Sequence, residues 1–464
     1  MPVHLSVGRW IELLGDIPEA LRRSIIDRIR FENPAYRNAV KYGRNTHGLE
    51  QWLWIGYRID GGLKLPRGLG SWLVTELQKS GIPYTMDDHR VRGDPAVFRS
   101  NIETRAYQEA AVQAAIHQRG GVLEAPCGSG KTTVGLEIVS RVGRRALWLC
   151  HTHELAQQTA ERARATLGLE GDELGLIAGG KHSLGSHLTI ALVQSLRQHP
   201  EILDAFQESL GMVILDEAHH APAMTFSEIL SEIPALYRLG LTATPERRDG
   251  LHPMMHAVIG PTLHRTDLAD LEAVGKVLVP RVVQVETSFR SSSGEYREIL
   301  ASLTKSPERN GLILDAIEAE VDAGRHCLVL SERVDHCNDL AAMLAQRRPD
   351  ITAGVITGRM NHRERERQMA RAAGRAAKVI FATQLADEGL DLPHLDALFL
   401  AAPVRSPGKV LQRLGRIMRP APGKMDAVVY DFIDDQVGIL RAQARKRFFE
   451  VYRPIGARVE RLTA

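Results

Sequence analysis

The sequence is poor in the residues that would staple or anchor a chain. Its four cysteines, Cys127, Cys150, Cys327 and Cys337, are scattered, with no C-x-x-C pair and no histidine pair at finger spacing. A zinc site or a disulfide framework is therefore not expected, and reduced structural thiols are. No apolar run approaches the length of a bilayer span, so no membrane partner is expected. The opening Met1-Pro2-Val3-His4 lacks the regions of a signal peptide, and a cytoplasmic protein is expected. Charge of one sign is scarce too: the net charge is only +3. That decides little about partners, since a protein that must repeatedly release a polyanion need not be strongly basic. What remains is a soluble globular composition, 44% hydrophobic and 25% charged. At 464 residues it has room for two or three domains.

The chain reads as three stretches. Residues 1–100 hold four of the five tryptophans, Trp10, Trp52, Trp54 and Trp72. They also hold a basic run of Arg22, Arg23, Arg28, Arg30, Arg37, Lys41, Arg44, Arg58, Lys64 and Arg67 against Asp27, Glu32, Glu50 and Asp60. From about residue 101 to 268 short apolar runs alternate with helical patterns. Val122–Ala125, Ala146–Leu149, Leu188–Ala191 and Met212–Leu215 read as buried strands, Thr132–Val142 and His153–Leu167 as helices, the second stopped by Gly168. That alternation implies a parallel sheet covered on both faces. Leu268–Lys305 reads as a connection. The third stretch, 269–464, then repeats the alternation, with Cys327–Leu330, Val379–Ala382 and Ala397–Leu400 as strands and Ala427–Tyr430 closing the sheet. No short internal repeat is visible.

Ala125-Pro126-Cys127-Gly128-Ser129-Gly130-Lys131-Thr132 follows a predicted strand and opens a predicted helix, the context a phosphate-binding loop requires. Glycines let backbone N–H groups turn toward phosphate, and the helix N-terminus adds its positive end. Lys131 would reach the β- and γ-phosphates of ATP, with Thr132 on Mg²⁺ and Thr133 beside it. Met212–Leu215 ends in Asp216-Glu217-Ala218-His219. Asp216 can join the Mg²⁺ shell and Glu217 can polarise the attacking water. An Asp-Glu pair that ends a strand is ordinarily a solvated turn. Downstream of a phosphate loop in the same sheet, it indicates nucleotide hydrolysis.

Over most of residues 105–420 the sequence resembles the superfamily 2 helicases. Ala125 suits that family's A-x-x-G-x-G-K-T loop, and Asp216-Glu217-Ala218-His219 resembles its DEAH-type second motif. Thr242-Ala243-Thr244-Pro245 looks like the third, which couples hydrolysis to motion through residues such as Thr242 and Thr244. Arg105-Ala106-Tyr107-Gln108 resembles the adenine-reading element, an amide being able to pair with the N6 and N7 edge. Thr383-Gln384-Leu385-Ala386-Asp387-Glu388-Gly389-Leu390-Asp391 is similar to the fifth motif, which puts Gly389 and Asp391 near nucleotide. Gln412-Arg413-Leu414-Gly415-Arg416-Ile417-Met418-Arg419 matches the sixth. There Gln412, Arg416 and Arg419 would share one helical face and neutralise charge on the γ-phosphate. The resemblance implies an α/β fold: two tandem RecA-like parallel-sheet domains, 101–268 and 269–464, after a small accessory domain, 1–100. It also implies nucleic-acid contacts at His151, Thr152, Gly179, Gln194, Ser195 and Thr383, although such residues are commonly helix caps or turns.

Thr244-Pro245-Glu246-Arg247-Arg248-Asp249-Gly250 resembles the repair and restriction-type branch, with its XPB-like and phage branched-DNA helicases. Asn33-Pro34 and Leu65-Pro66-Arg67-Gly68-Leu69 look like parts of the accessory domain of such proteins. The expectation is a monomeric, ATP- and Mg²⁺-dependent DNA helicase or translocase acting on duplex, forked or branched DNA. An RNA helicase is the alternative, but only about 45 residues follow Arg419, leaving no room for the large C-terminal domains of the RNA-acting DEAH type. A restriction motor would need another subunit, since no P-D…E-x-K-like cluster is present. A scaffold that has lost hydrolysis would not need Lys131, Asp216, Glu217, Arg416 and Arg419 together. Residues 1–100 have two readings: a DNA-binding domain of stacked aromatics and arginines, or a packing domain whose tryptophans form the core.

Overall fold

The computed structural model describes residues 2–126, 128–218, 223–243, 250–383, 392–404 and 407–462; the side chains of 223, 362, 407–409 and 412 are outside the description. The chain divides into two compact units, one built from Met1–Pro126 and Gly130–Thr266, the other chiefly from Asp267–Ala464.

The first unit is organised by an eight-stranded sheet. Its order is Lys181–His182, Leu174–Ala178, Leu188–Leu192, Ala146–Cys150, Met212–Leu215, Tyr237–Thr242, Gly120–Glu124 and Thr262–Arg265. Every neighbouring pair is parallel except the hairpin of the first two. The central strands are continuous apolar runs because helices cover both faces. Helices Lys131–Val142 and His153–Leu167 form as the sequence predicts. Gly168 ends the second at φ +62°, a left-handed position that glycine takes without steric cost.

Ahead of it lies a five-stranded sheet ordered Tyr57–Ile59, Gly62–Leu65, Ile11–Leu14, Val3–Val7, Tyr84–Asp88. Its core is aliphatic: Leu5, Ile11, Leu13, Ile25, Leu65, Leu73 and Leu77 are buried. That core is continuous with Val122, Leu147, Val213, Met254 and Val258 of the larger sheet and its helices. Polar groups stitch the same seam. The Arg67 guanidinium donates to the Ala235 and Leu236 carbonyls at 2.6 and 3.1 Å. Buried Arg238 donates to Leu230, Ile233 and Val258 carbonyls at 2.7, 3.0 and 3.2 Å, and to Arg9 O at 3.4 Å. At Gly68 the short helix Arg67–Leu69 meets helix His252–Ile259 so closely that a Cβ would lie 2.4 Å from His256 O. Residues 1–100 thus share one core with the sheet that follows.

The tryptophans do not build that core, which corrects the packing reading. Trp72 is half-buried against it, Trp10 and Trp52 are half-exposed, and Trp54 is exposed. The domain buries enough Leu and Ile to need no large aromatic inside.

The second unit holds a seven-stranded, all-parallel sheet. Its order is Ala353–Ile356, Val379–Thr383, Cys327–Ser331, Ala397–Leu400, Val428–Ile433, Arg281–Glu286, Arg458–Leu462. Three strands go beyond the sequence reading, the first of them Ala353–Ile356 at one edge. Arg281–Glu286 lies inside the expected connection, and Arg458–Leu462 forms the other edge, so Val428–Ile433 does not close the sheet. Arg281-Val-Val-Gln-Val-Glu and Arg458-Val-Glu-Arg-Leu lack a continuous apolar run, the second because an edge strand is only partly covered. Among the described residues no helix is long and apolar enough to cross a membrane.

Candidate functional site

In the first unit the expected residues converge at the carboxyl ends of the parallel strands, where open α/β sheets bind ligands. Three backbone bonds hold those ends in register. Ala125 N–H donates to Thr242 O at 3.0 Å, Ala218 N–H to Leu241 O at 3.0 Å, and Asp216 N–H to Leu149 O at 2.9 Å. The phosphate loop, the carboxylate pair and the buried Thr242 are therefore fixed to adjacent strands. Glu124, the last residue before the loop, was not singled out in the sequence. It is buried and accepts from Thr262 Oγ1 at 2.5 Å and Arg265 Nε at 2.7 Å. A carboxylate closing an otherwise apolar strand was the available signal.

The loop turns through two left-handed glycines, Gly128 at φ +88° and Gly130 at φ +84°, then enters the helix at Lys131. Side chains are disfavoured at such positions, and the space is also short: a Cβ on Gly130 would lie 2.8 Å from Gln108 Nε2. Gln108 is buried, and its Oε1 accepts from Arg105 N–H at 3.0 Å across the start of helix Ala106–Gln118. The amide nitrogen thus faces the loop. Ser129 is buried, and Pro126, Thr132 and Thr133 are half-buried.

Lys131 Nζ donates to Ala125 O at 3.2 Å and lies 3.6 Å from Glu217 Oε1. Asp216 is buried beside them, its Oδ1 accepting from Glu217 N–H at 2.9 Å. Burial and the adjacent Glu217 charge push the Asp216 carboxyl up, and Lys131 only partly opposes them. Glu217 itself sits at φ +47°, the one left-handed non-glycine residue among the described residues of this site. Such a conformation is costly for a side chain and persists where the surroundings impose it. Two carboxylates against one lysine, one of them deeply buried, fit a divalent cation held with Thr132. The helix N-terminus and Lys131 fit phosphate.

The expected strand-contacting residues divide. Thr152 caps helix His153–Leu167, its Oγ1 accepting from Leu155 N–H at 3.3 Å. Gly179, at φ +58°, packs so tightly on His153 that a Cβ would lie 2.4 Å from its Nε2. His151 follows strand Ala146–Cys150 and is half-buried; in helix Val193–Gln198, Gln194 is exposed and Ser195 half-buried. All of these follow strand carboxyl ends.

In the second unit, buried Thr383 ends strand Val379–Thr383 and accepts from Gly358 N–H at 3.2 Å. Helix Pro407–Ile417 carries Arg416, half-buried. It stops two residues before Arg419, which lies in the following turn and not on the same helical face as expected. Pro420 is the reason, because the residue before a proline is driven from helical geometry. Lys424, which the sequence reading missed, secures this turn. Its Nζ donates to Leu395 O at 2.6 Å and Pro393 O at 3.3 Å, and also to Ile417 O at the helix end. Burial lowers its pKa to about 8. Cys127, His219, Thr244, Gly389 and Asp391 lie outside the described residues, as does the side chain of Gln412.

Residues 101–247 match the family described as Type III restriction enzyme, res subunit, and residues 309–421 match the helicase conserved C-terminal domain. The chain is 25% identical over 395 residues to "Probable helicase D10" of Escherichia phage T5, covering 82% of each protein. It is 25% identical over 386 residues to the "DNA 3'-5' translocase XPB2" of Sulfurisphaera tokodaii, covering 76% of this chain and 86% of that one. Among solved structures, the ATP-dependent Type ISP restriction-modification enzyme LlaBIII bound to DNA has the same fold at TM-score 0.58 and 14% identity. The match covers 79% of this chain and 32% of that one.

Proposed function

We propose that this chain is a superfamily 2 helicase of the XPB-like, phage and restriction-type branch, and that it couples ATP hydrolysis to movement along DNA, unwinding or remodelling duplex, forked or branched substrates. The observation that carries the reading is the constellation of Lys131, Asp216 and Glu217 beyond the carboxyl ends of two strands that flank Tyr237–Thr242, with Lys131 Nζ 3.6 Å from Glu217 Oε1. The proposed work is repair, recombination or replication.

In this mechanism Lys131 and the backbone N–H groups of residues 128–132 hold the β- and γ-phosphates of ATP, and Gln108 reads adenine. Thr132 and Asp216 would hold Mg²⁺, which when bound neutralises phosphate charge. Glu217 accepts a proton from water as the water oxygen bonds to the γ-phosphorus and the bond to the β-phosphate oxygen breaks. Arg416 and Arg419, with Gln412, take up charge on the transferred group. Thr242 and Thr244 pass the change to the residues that grip the strand: His151, Thr152, Gly179, Gln194, Ser195 and Thr383. Hydroxyls, amides and backbone groups of this kind bind the sugar-phosphate backbone without reading bases. His219, Gly389 and Asp391 complete the nucleotide contacts.

DNA is favoured because the relative from Sulfurisphaera tokodaii is described as a DNA 3'-5' translocase. The test is ATP turnover by the full chain without nucleic acid and with duplex, forked, junction and RNA substrates. DNA-selective stimulation is expected, and stimulation by RNA alone would overturn the assignment.

A further inference from the structure

Two short strands before the first motor sheet form an isolated ribbon, Arg30–Glu32 against Trp52–Trp54. Its register pairs Arg30 with Trp54, Phe31 with Leu53 and Glu32 with Trp52. Side chains alternate across a strand, so Phe31 and Leu53 share one face and Arg30, Trp52 and Trp54 the other. Phe31 and Leu53 pack on the core. Both indoles therefore belong to the opposite face, Trp52 half-buried and Trp54 exposed.

The Arg30 guanidinium lies 4.6 Å from the Trp52 ring centroid and 6.0 Å from that of Trp54. One cation thus steadies both rings. Trp54 remains 47% exposed. The acidic neighbours are engaged in long ion pairs: Glu32 with Arg37 at 3.5 Å, Asp27 with Arg30 at 3.6 Å and Glu12 with Lys64 at 3.5 Å. Three residues beyond Trp54, Tyr57 is 50% exposed and lies opposite Lys64 in the next pair of strands. Lys64 Nζ is 5.7 Å from the Tyr57 ring centroid. Between Arg22 and Lys64 the chain carries nine basic and four acidic side chains, Arg67 being spent on backbone carbonyls, and this excess favours a polyanion.

We infer that the outward face of this ribbon is a stacking platform for unpaired DNA bases, centred on Trp54 and Trp52, with Arg30 and Lys64 serving the phosphates. Paired bases inside a duplex offer no free π-face, whereas unpaired ones do, and stacking on aromatic rings is tolerant of sequence. The inference rests on the proposal that the motor works on DNA. It adds that the part of the substrate held here is single-stranded.

The test measures binding of labelled oligo(dT) and of a blunt duplex to the full chain without nucleotide, for wild type, Trp54→Ala, Trp52→Ala and Trp54→Phe. Loss of one stacked base predicts about fivefold to 150-fold weaker oligo(dT) binding for the alanine variants, with duplex affinity changed less than about twofold. Trp54→Phe should recover most of the loss. Unchanged oligo(dT) affinity, or equal losses on both ligands, would overturn the platform. Photo-crosslinking of wild-type protein to an iodouracil-substituted single strand covers the case of a variant that misfolds. Adducts on residues 52–57 are expected, and adducts only elsewhere would refute the inference. Duplex-stimulated ATP turnover in wild type separates the two proposals: if it is present while the platform tests fail, only the platform is lost.

Discussion

Lys131 and Glu217 face one another across the first-unit site, Nζ 3.6 Å from Oε1, both largely buried. The residue proposed to grip phosphate and the one proposed to accept the water's proton are thus each other's counter-charge. Replacing Lys131 takes the cation away from two neighbouring carboxyl groups, Asp216 and Glu217, whereas replacing Glu217 leaves Lys131 facing Asp216, so binding and chemistry need to be read separately.

Lys131→Ala is expected to reduce ATP turnover about 100-fold to 1000-fold, as loss of one charged stabiliser of a transferring group does. Glu217→Gln should retain nucleotide binding and lose turnover by a similar or larger factor. Nucleotide titration alongside steady-state hydrolysis checks both. Wild-type hydrolysis by Glu217→Gln would remove Glu217 from the role of base.

The backbone at Glu217 gives an independent prediction. Its φ of +47° suits glycine and penalises any side chain. Glu217→Gly and Glu217→Ala both remove the carboxylate, but the glycine variant should be the more stable by about 1 kcal/mol in urea unfolding. Equal stabilities would mean that the conformation carries no strain.

Arg238 tests the seam between the accessory sheet and the first motor sheet. It is buried, held by four carbonyls, and pushed down to about 9 by burial. Arg238→Met keeps much of the volume but strands those acceptors, and should destabilise the first unit by more than about 3 kcal/mol. A loss below about 1 kcal/mol would refute this. For the same reason, deleting residues 1–100 would uncover the shared core and confuse binding with folding.

His336 predicts a pH dependence in the second unit. Buried, it contacts Ser331 Oγ through Nδ1 at 3.0 Å and Asn310 Oδ1 through Nε2 at 3.1 Å. Burial, helped by the Arg309 and Arg333 charges, lowers its pKa from 6.5 to about 3. Below the unfolded value the unfolded chain takes up a proton that the folded one refuses. Stability present above that value is therefore lost as pH falls. Between pH 7 and pH 5 the loss from this residue should be about 2 kcal/mol. His336→Gln should lack it, as urea midpoints at the two pH values would reveal.

Much of the candidate nucleotide site was legible in the chain itself. Apolar strands buried on both faces read as continuous runs, and the turns after them carry Gly128, Gly130, Lys131 and Asp216 in chain order. Local chemistry specifies each of these pieces. Arg281–Glu286 and Arg458–Leu462 could not be read this way, because what makes them strands is pairing in register with each other and with Val428–Ile433, partners far away in sequence.

The sequence alone thus determined the kind of protein, since the glycines, the lysine and the carboxylates follow predicted strands in the order that the helicase families share. Only the tertiary structure decided which side of the ribbon Trp52 and Trp54 occupy, and that Arg238 and Lys424 are spent on backbone carbonyls. Composition cannot distinguish a tryptophan inside a core from one outside it. The difference is a matter of strand register and of how much Leu and Ile is already buried, and neither is a local property of the chain.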